Sequence, residues 1–141
     1  GSSNVIEYHG NISTLTCLKC GKRFKRAELS GQFPPKCTCL SRQILKPDVV
    51  FFGEPIPWEA QVMSFKESKS CGAVLVIGTS AIVYPAASIP VTAKERGAII
   101  IEINMEPTPL TNGISDYLIL GSAGEIIPAI VEEVKRTNPL H

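Results

Sequence analysis

Four cysteines in two close pairs constrain this chain more than any other feature. Two residues separate Cys17 from Cys20, one separates Cys37 from Cys39, and sixteen residues lie between the pairs. A close pair seats two thiolates on one metal ion from a single turn, and the intervening loop lets the second turn complete a tetrahedron. The spacing therefore predicts a zinc site with these four ligands, although the second pair is tighter than the usual two-residue gap.

Two disulfides are the alternative for this cysteine pattern. Five cysteines in 141 residues are too few for a disulfide scaffold, and the number is odd. Half-cystines so close in sequence also seldom join distant parts of a chain. We therefore expect thiolates on zinc. The fifth cysteine, Cys71, opens an apolar run and is expected to be a small buried hydrophobic residue.

The rest of the composition is that of a globular protein. Its 141 residues suit one domain of ordinary size, and no apolar run approaches the ~20 residues that a membrane-spanning helix needs. The net charge of +1 gives no global reason to expect nucleic acid. A basic cluster at residues 22–26 (KRFKR) lies inside the zinc loop. We interpret it as a solvated loop, and a zinc ribbon that contacts nucleic acid is the alternative.

After the cysteines, strands alternate with helices. Apolar runs predict four strands, at residues 49–52, 73–77, 98–103 and 117–120. Helices are predicted after Pro57, within residues 85–96 and after a capping box of Ser122 and Glu125. Because such apolar strands are buried on both faces and separated by helices, we expect a parallel sheet with right-handed crossovers. The predicted fold class is α/β, a partial Rossmann-like parallel sheet with a small zinc-ribbon module.

Three polar or glycine-rich segments follow three consecutive strands. They are Gly78, Thr79 and Ser80, then Asn104, Met105 and Glu106, then residues 121–124 with Ser122 and Ala123. Ligands of parallel sheets bind beyond the carboxyl ends of the strands. The first segment suits a phosphate or ribose, the asparagine suits a ribose hydroxyl, and small residues at a helix N-terminus let a flat ring approach the backbone. Each segment taken singly could be an ordinary turn that ends a strand. Three such segments after three consecutive strands favour a nucleotide site.

In their order along the chain, these segments resemble the sirtuins, the NAD-dependent protein-lysine deacylases. The resemblance covers essentially the whole chain and rests on His9-Gly10, the paired cysteines, residues 46–54 (KPDVVFFGE), 78–80, 83–87 (VYPAA), Ile103-Asn104 and 121–124 (GSAG). The family's N-terminal glycine-rich dinucleotide loop and its Gln-Asn-Ile-Asp type segment have no counterpart here. We therefore expect the C-terminal part of a sirtuin catalytic domain. We expect three parts: a catalytic histidine segment at residues 1–16, a zinc module at 17–45 and part of the NAD-binding domain at 46–141.

The resemblance implies a structural zinc ion, NAD as co-substrate and an acyl-lysine protein or peptide as substrate. In the family, the acyl oxygen attacks C1′ of the NAD ribose, nicotinamide leaves, and a histidine deprotonates a ribose hydroxyl that attacks the resulting imidate. His9 matches that general base. The three segments after the strands match the nucleotide site. Val50 and Phe52 would line the slot for the acyl-lysine stem, while the backbones of Gly53-Glu54 and Val83-Tyr84 would pair with an extended peptide.

The resemblance also carries expectations about this chain on its own. Because the pyrophosphate loop and the nicotinamide pocket are missing, we expect no deacylation without the N-terminal segment of the same domain. An open sheet edge predicts self-association. We expect a cytoplasmic location, with neither a membrane nor nucleic acid as partner. The alternative function is a non-catalytic zinc-ribbon and nucleotide-binding module.

Overall fold

The structure, a computed structural model, describes residues 2–31 and 33–137 of the chain. The chain divides into two units, Gly1–Val62 and Met63–His141, and each unit contains its own three-stranded sheet. The boundary falls within the first α-helix. The division at residues 16 and 45 stays a prediction.

The first unit is built on an antiparallel sheet with β1 at its centre. Its elements are β1 (Gly10–Thr16), β2 (Arg23–Lys25), a 3-10 turn (Arg26–Glu28) and β3 (Lys46–Val49), in the sheet order β2-β1-β3. The carboxylate of Asp48 joins β3 to β1, because it accepts hydrogen bonds from the hydroxyls of Thr14 (2.7 Å) and Thr16 (2.6 Å). Leu15, Leu45 and two of the cysteines form the buried core of this unit.

The predicted strand at residues 49–52 is wrong, since β3 ends at Val49. A turn follows, in which the Glu54 N–H donates to the carbonyl of Phe51 (2.9 Å). The Glu54 carboxylate in return accepts the Phe51 N–H at 3.0 Å. The Phe51 N–H is bonded to the Glu54 side chain, and Gly53 has φ +86°. Residues 50–54 therefore cannot continue the hydrogen-bond pattern of the β-sheet.

The second unit contains the predicted parallel sheet, in the order β4-β5-β6. The strands are β4 (Ala73–Ile77), β5 (Ile99–Asn104) and β6 (Tyr117–Leu120). Leu75 pairs with Ile101, which pairs with Tyr117, so the carboxyl ends of all three strands meet at one edge. The core contains Val76, Ile100 and other buried residues, and Cys71 is partly buried against it as predicted.

Three α-helices complete the described chain: α1 (Trp58–Ser70), α2 (Ser88–Glu95) and α3 (Ala123–Thr137). α2 begins later than residue 85 and holds Pro90 in its first turn, where a missing N–H is tolerated. Two residues separate β6 from α3, and the carbonyl of the second, Ser122, accepts the N–H groups of Glu125 and Ile126. No helix in residues 2–31 and 33–137 is long and apolar enough to cross a membrane.

Candidate functional site

The sulfur atoms of the four paired cysteines lie within 4.8 Å of one another, and none of these residues is in a disulfide. Cys17 Sγ is 3.9 Å from Cys39 Sγ, and Cys20 Sγ is 3.7 Å from Cys37 Sγ. Four thiolates placed ~2.3 Å from a tetrahedral zinc ion would lie ~3.8 Å apart. The cluster therefore fits a four-cysteine zinc ion. Four thiolates leave no open coordination position, so zinc here is structural.

Backbone hydrogen bonds shape the two turns that carry these ligands. In the first, the Gly21 N–H donates to the Cys17 carbonyl (2.8 Å) and the Cys17 N–H donates to the Lys22 carbonyl (3.0 Å). Gly21 has φ +72°, which favours glycine. In the second, the Cys37 N–H donates to the Gln43 carbonyl at 2.8 Å. The first pair is thereby attached to the end of β1.

The thiols of the cluster differ in acidity. A hydrogen bond with the Ser41 hydroxyl (3.0 Å) is the main reason why the pKa of Cys39 falls to about 6. The backbone N–H of Cys20 is the main cause of a lowered pKa at Cys17. The Cys39 N–H acts in the same direction on Cys37, but burial and the neighbouring sulfurs raise the pKa of Cys37 to about 12. Since a metal binds the thiolate form, zinc must displace a proton from Cys37.

His9 lies directly before β1, and its side chain is exposed. Its carbonyl accepts the Val50 N–H at 3.0 Å, and the Tyr8 ring contacts the imidazole edge-on with 5.3 Å between centroids. Burial raises the pKa of the Tyr8 hydroxyl. The first unit therefore holds the His9 main chain beside Val50, the first residue of the predicted substrate segment, and leaves the imidazole accessible.

The turn after β3 presents the predicted substrate residues of the first unit. Phe52 lies at its tip with 95% of its surface exposed. Lys46 forms an ion pair with Glu54 (2.9 Å), which ties the end of this turn to the start of β3. Residues 50–54 are thus an ordered loop whose most exposed side chain is an aromatic ring.

The second unit brings its three predicted nucleotide segments to one edge of the parallel sheet. Asn104 links them, because its Nδ2 donates to the Thr79 carbonyl (2.8 Å) and its own carbonyl accepts the Gly121 N–H (2.9 Å). The Asn104 Oδ1 also accepts the Met105 N–H at 3.0 Å. Gly78 donates its N–H to the Ile103 carbonyl at 3.0 Å. The Asn104 side chain therefore bonds to the first two segments, and its main-chain carbonyl bonds to the third.

The other predicted residues of the second unit are accessible. Ser122 and Ala123 are half-buried at the start of α3, and the exposed ones are Thr79, Ser80, Val83, Tyr84, Met105 and Glu106. Val83 and Tyr84 lie in the loop before α2, where the Val83 carbonyl accepts the Ala87 N–H at 2.9 Å. The binding roles of all these residues stay predictions.

Asp48 was not among the predicted site residues, although it bears on the position of His9. Its carboxylate joins β1 to β3 next to the Gly10–Val49 pair. Burial alone would raise the pKa of Asp48, but the hydroxyls of Thr16 and Thr14 and the charge of Arg23 outweigh burial and lower it. No local sequence pattern indicated this role, because β3 is a short strand of mixed composition and the hydroxyls that bind Asp48 lie on β1.

Comparison with known proteins gives a consistent result. A model of the Sir2 family matches residues 1–85. The chain is 46% identical to an NAD-dependent protein deacylase of Pyrococcus furiosus, in an alignment that covers 98% of this chain and 57% of that relative. The fold matches a crystal structure of a Sir2 homolog–NAD complex with a TM-score of 0.88 and 40% identity, covering 97% of this chain and 53% of the other. It also matches Sir2Af2 bound to a myristoylated histone peptide, with a TM-score of 0.86 and 41% identity over 99% of this chain and 60% of the other.

This chain therefore spans little more than half the length of these relatives. The family-model match covers the histidine, the cysteine cluster and the segment at residues 46–54. High identity extends over almost the whole chain. This chain belongs to the Sir2 family.

Proposed function

We propose that this chain carries the catalytic histidine, the structural zinc module and parts of the nucleotide and peptide sites of an NAD-dependent protein-lysine deacylase. The observation that carries the proposal is the position of His9. Its imidazole is exposed, while its main chain is bonded to Val50 at the start of the substrate segment. This contact supports the assignment of His9 as a base beside the residues that would receive an acyl-lysine side chain.

His9 acts as the general base of the reaction. It takes a proton from a ribose hydroxyl, whose oxygen then accepts the acyl group from the lysine. As co-substrate, NAD would supply the ribose carbon that the acyl oxygen attacks as nicotinamide leaves, and the ribose hydroxyl that takes the acyl group as the lysine amine is released. The Tyr8 ring packs edge-on against one side of the imidazole. Loss of such a base typically costs ~10²–10⁴-fold in rate.

The peptide and the nucleotide use different parts of the chain. In the first unit, Val50 and Phe52 line the slot for the lysine stem, and the backbone of residues 53–54 pairs with an extended peptide. In the second unit, the backbone of residues 83–84 offers peptide-pairing groups of its own. Such pairing reads main chain, so it accepts many sequences. Around Asn104, the side chains of Thr79 and Ser80 and the start of α3 receive the ribose and phosphate groups of NAD. The relatives with NAD and with an acylated peptide support this assignment.

The zinc ion stabilises the first unit and takes no part in the chemistry. Cysteines stay reduced, and can bind zinc as thiolates, in a reducing compartment, and this favours a cytoplasmic location. The chain alone should not catalyse deacylation, since it spans 57% of the length of its Pyrococcus furiosus relative.

The test uses a hybrid, in which this chain is joined to the part of the Pyrococcus furiosus relative that it does not span. We expect the hybrid to consume NAD and an acetyl-lysine peptide together and to release nicotinamide. His9→Ala should lower the rate ~10²–10⁴-fold, whereas His141→Ala, which removes the other histidine, should leave the rate unchanged. A hybrid that binds NAD and zinc without turnover would favour the non-catalytic alternative. An unchanged rate in His9→Ala would contradict the assignment of the base.

A further inference from the structure

The ammonium group of Lys46 has a complete set of acceptors. It is 2.9 Å from the Glu54 carboxylate, 2.8 Å from the Val49 carbonyl and 3.3 Å from the Pro47 carbonyl. An ammonium has three protons, so each proton has an acceptor. The Nζ atom also lies 4.6 Å from the centroid of the Phe51 ring, within cation–π range. Lys46 thus joins both ends of the turn at residues 51–54 to β3.

Glu54 completes the connection from the other end of the turn. The oxygen that receives Lys46 also accepts the Phe51 N–H at 3.0 Å. These two contacts, the Phe51 N–H first and Lys46 second, lower the pKa of Glu54. One carboxylate therefore closes the turn and anchors it to the strand. We call the Lys46–Glu54 ion pair with its Phe51 contacts the turn clamp.

The turn clamp differs from an ordinary surface ion pair. Its side chains are 24% and 38% exposed, whereas those of the Lys25–Glu28 pair in the same unit are 75% and 67% exposed at 3.8 Å. Exposed pairs of the second kind contribute little, because water and salt screen them. A partly buried pair with further hydrogen bonds is screened less. Lys25–Glu28 is therefore a matched control for the turn clamp.

The side chain that the turn presents is almost fully exposed. Phe52 is 95% exposed, and Gly53 beside it has φ +86°. An exposed phenylalanine contributes no burial free energy to the fold, whereas a ligand that covers its ring removes apolar surface from water. Because the turn is already held by hydrogen bonds, binding does not have to bear the entropic cost of ordering it. The rigidity of the turn therefore matters for binding.

We propose that Lys46 and Glu54 are positioning residues, whose ion pair presents Phe52 and the peptide-pairing backbone of residues 53–54 to the acyl-lysine substrate. The inference rests on the proposed function and deepens it. The two charged side chains act through the turn and do not touch the reacting atoms. Their loss should therefore weaken peptide binding and raise KM for the peptide, while kcat at saturating peptide stays the same.

The test compares Lys46→Met, Glu54→Gln, the double variant and the control Lys25→Met. Hydrogen exchange of the Phe51 amide in the chain itself reports on the turn, and calorimetry with an acetyl-lysine peptide reports on affinity. We expect faster exchange and an affinity lower by about 5–30-fold in each single clamp variant. The double variant should be no worse than the singles, since the two residues act as one unit. In the hybrid, KM for the peptide should rise by the same factor with kcat unchanged, and Lys25→Met should match the parent.

Four outcomes would overturn the inference. An affinity loss in Glu54→Gln with none in Lys46→Met would mean that Glu54 contacts the peptide directly. Additive losses in the double variant would mean that the residues act independently. Unchanged affinity in every variant, or no peptide binding by the parent, would remove the role of the clamp. If the parent chain binds peptide through the turn clamp but the hybrid releases no nicotinamide, the proposed function is contradicted and the inference about the turn clamp is not.

Discussion

Gly10 shows how one residue controls the surroundings of His9. It has φ +68°, and a Cβ atom at this position would lie 1.7 Å from the carbonyl oxygen of Asp48. Real Cβ atoms do not approach an oxygen so closely, so β1 and β3 can come together here only around a glycine. Because Gly10 directly follows His9, the same close approach of the two strands lets the His9 carbonyl accept a hydrogen bond from the Val50 N–H.

Gly10→Ala should destabilise the protein more than Gly53→Ala. Both residues have positive φ, and alanine in that region costs about 1–2 kcal/mol. At Gly53 nothing lies within 4 Å of the added Cβ, whereas at Gly10 the clash must also separate two strands. Urea denaturation should therefore show a loss above about 3 kcal/mol for Gly10→Ala. Equal losses in the two variants would mean that the close approach to Asp48 is relaxed at little cost.

The sequence predicts residues whose spacing or motif carries the chemistry, but not those that act through tertiary contacts. The cysteine cluster is confirmed, because metal geometry dictates the spacing of ligands within each turn. Asp48 acts through hydroxyls on β1, more than thirty residues earlier, and the Lys46–Glu54 pair acts across a turn. No local pattern reveals such partners. The roles of His9 and of the nucleotide and peptide residues stay predictions.

Among the secondary-structure elements, β5 combines an apolar strand with a buried acid. Glu102 pairs with Val76 and Leu118 on the neighbouring strands and is fully buried. Its Oε2 accepts the hydroxyls of Thr111 (2.7 Å) and Ser115 (3.0 Å) from the following loop. This carboxylate thereby holds the loop that starts at the predicted nucleotide residues after Asn104.

Glu102→Gln should destabilise the protein in a pH-dependent way. Burial raises the pKa of Glu102, but hydrogen bonds from Thr108, Thr111 and Ser115 outweigh it and the net pKa is lowered. A carboxyl with a lowered folded-state pKa stabilises the fold fully above its unfolded value of about 4.3, and the stabilisation is lost as the pH falls through the folded-state pKa. We expect a loss of about 1–3 kcal/mol at pH 7, with the difference from the parent shrinking below about pH 4.

The control for this prediction is Glu132→Gln. Glu132 is an exposed residue of α3 whose carboxylate pairs with Lys135. Its substitution should change the free energy of unfolding by less than about 0.5 kcal/mol. Chemical denaturation at several pH values measures both variants. A constant difference between the parent and Glu102→Gln from neutral to acid pH would show that the charge of Glu102 is not what stabilises the loop.

The strands of the second unit could be predicted because each is a short run of mostly apolar residues. β4 and β6 have the predicted bounds, and β5 is shifted by one residue. The antiparallel sheet of the first unit could not be predicted, since β1 is polar and pairs with a segment thirty residues away. The strand at residues 49–52 failed because a carboxylate from Glu54 competes for the Phe51 N–H. Long-range pairing and side-chain competition leave no periodic signal.

For the whole molecule, the zinc cluster should decide whether the first unit folds. Structural zinc in small cysteine modules contributes on the order of 10–16 kcal/mol of apparent binding free energy. We expect one zinc ion per chain by elemental analysis, and unfolding of the cluster region when a chelator is added. Cys20→Ala should lose the metal, whereas Cys71→Ala should keep it, because Cys71 is in the second unit and outside the cluster. A metal-free chain of unchanged stability would disprove the zinc assignment.

One face of the parallel sheet is partly open to solvent, although Ile103 on that face is fully buried. Side chains that pair across the strands lie on the same face, and on this face Leu75, Ile99 and Tyr117 are 48%, 46% and 61% exposed. β4 is also an edge strand in the described part of the chain. Parallel sheets are normally covered on both faces, and an apolar face with an unpaired edge is a site of association.

The chain on its own should therefore self-associate through this face. Sedimentation velocity at increasing concentration should show dimers or larger species, and Leu75→Lys or Ile99→Lys should shift the distribution toward monomer, because a charge on the face opposes its burial. Ile12→Lys is the control, since Ile12 is 68% exposed but belongs to β1 in the other sheet. It should leave the distribution unchanged. If the parent stays monomeric at high concentration, or if the control dissociates it as well as Leu75→Lys does, the open face does not drive association.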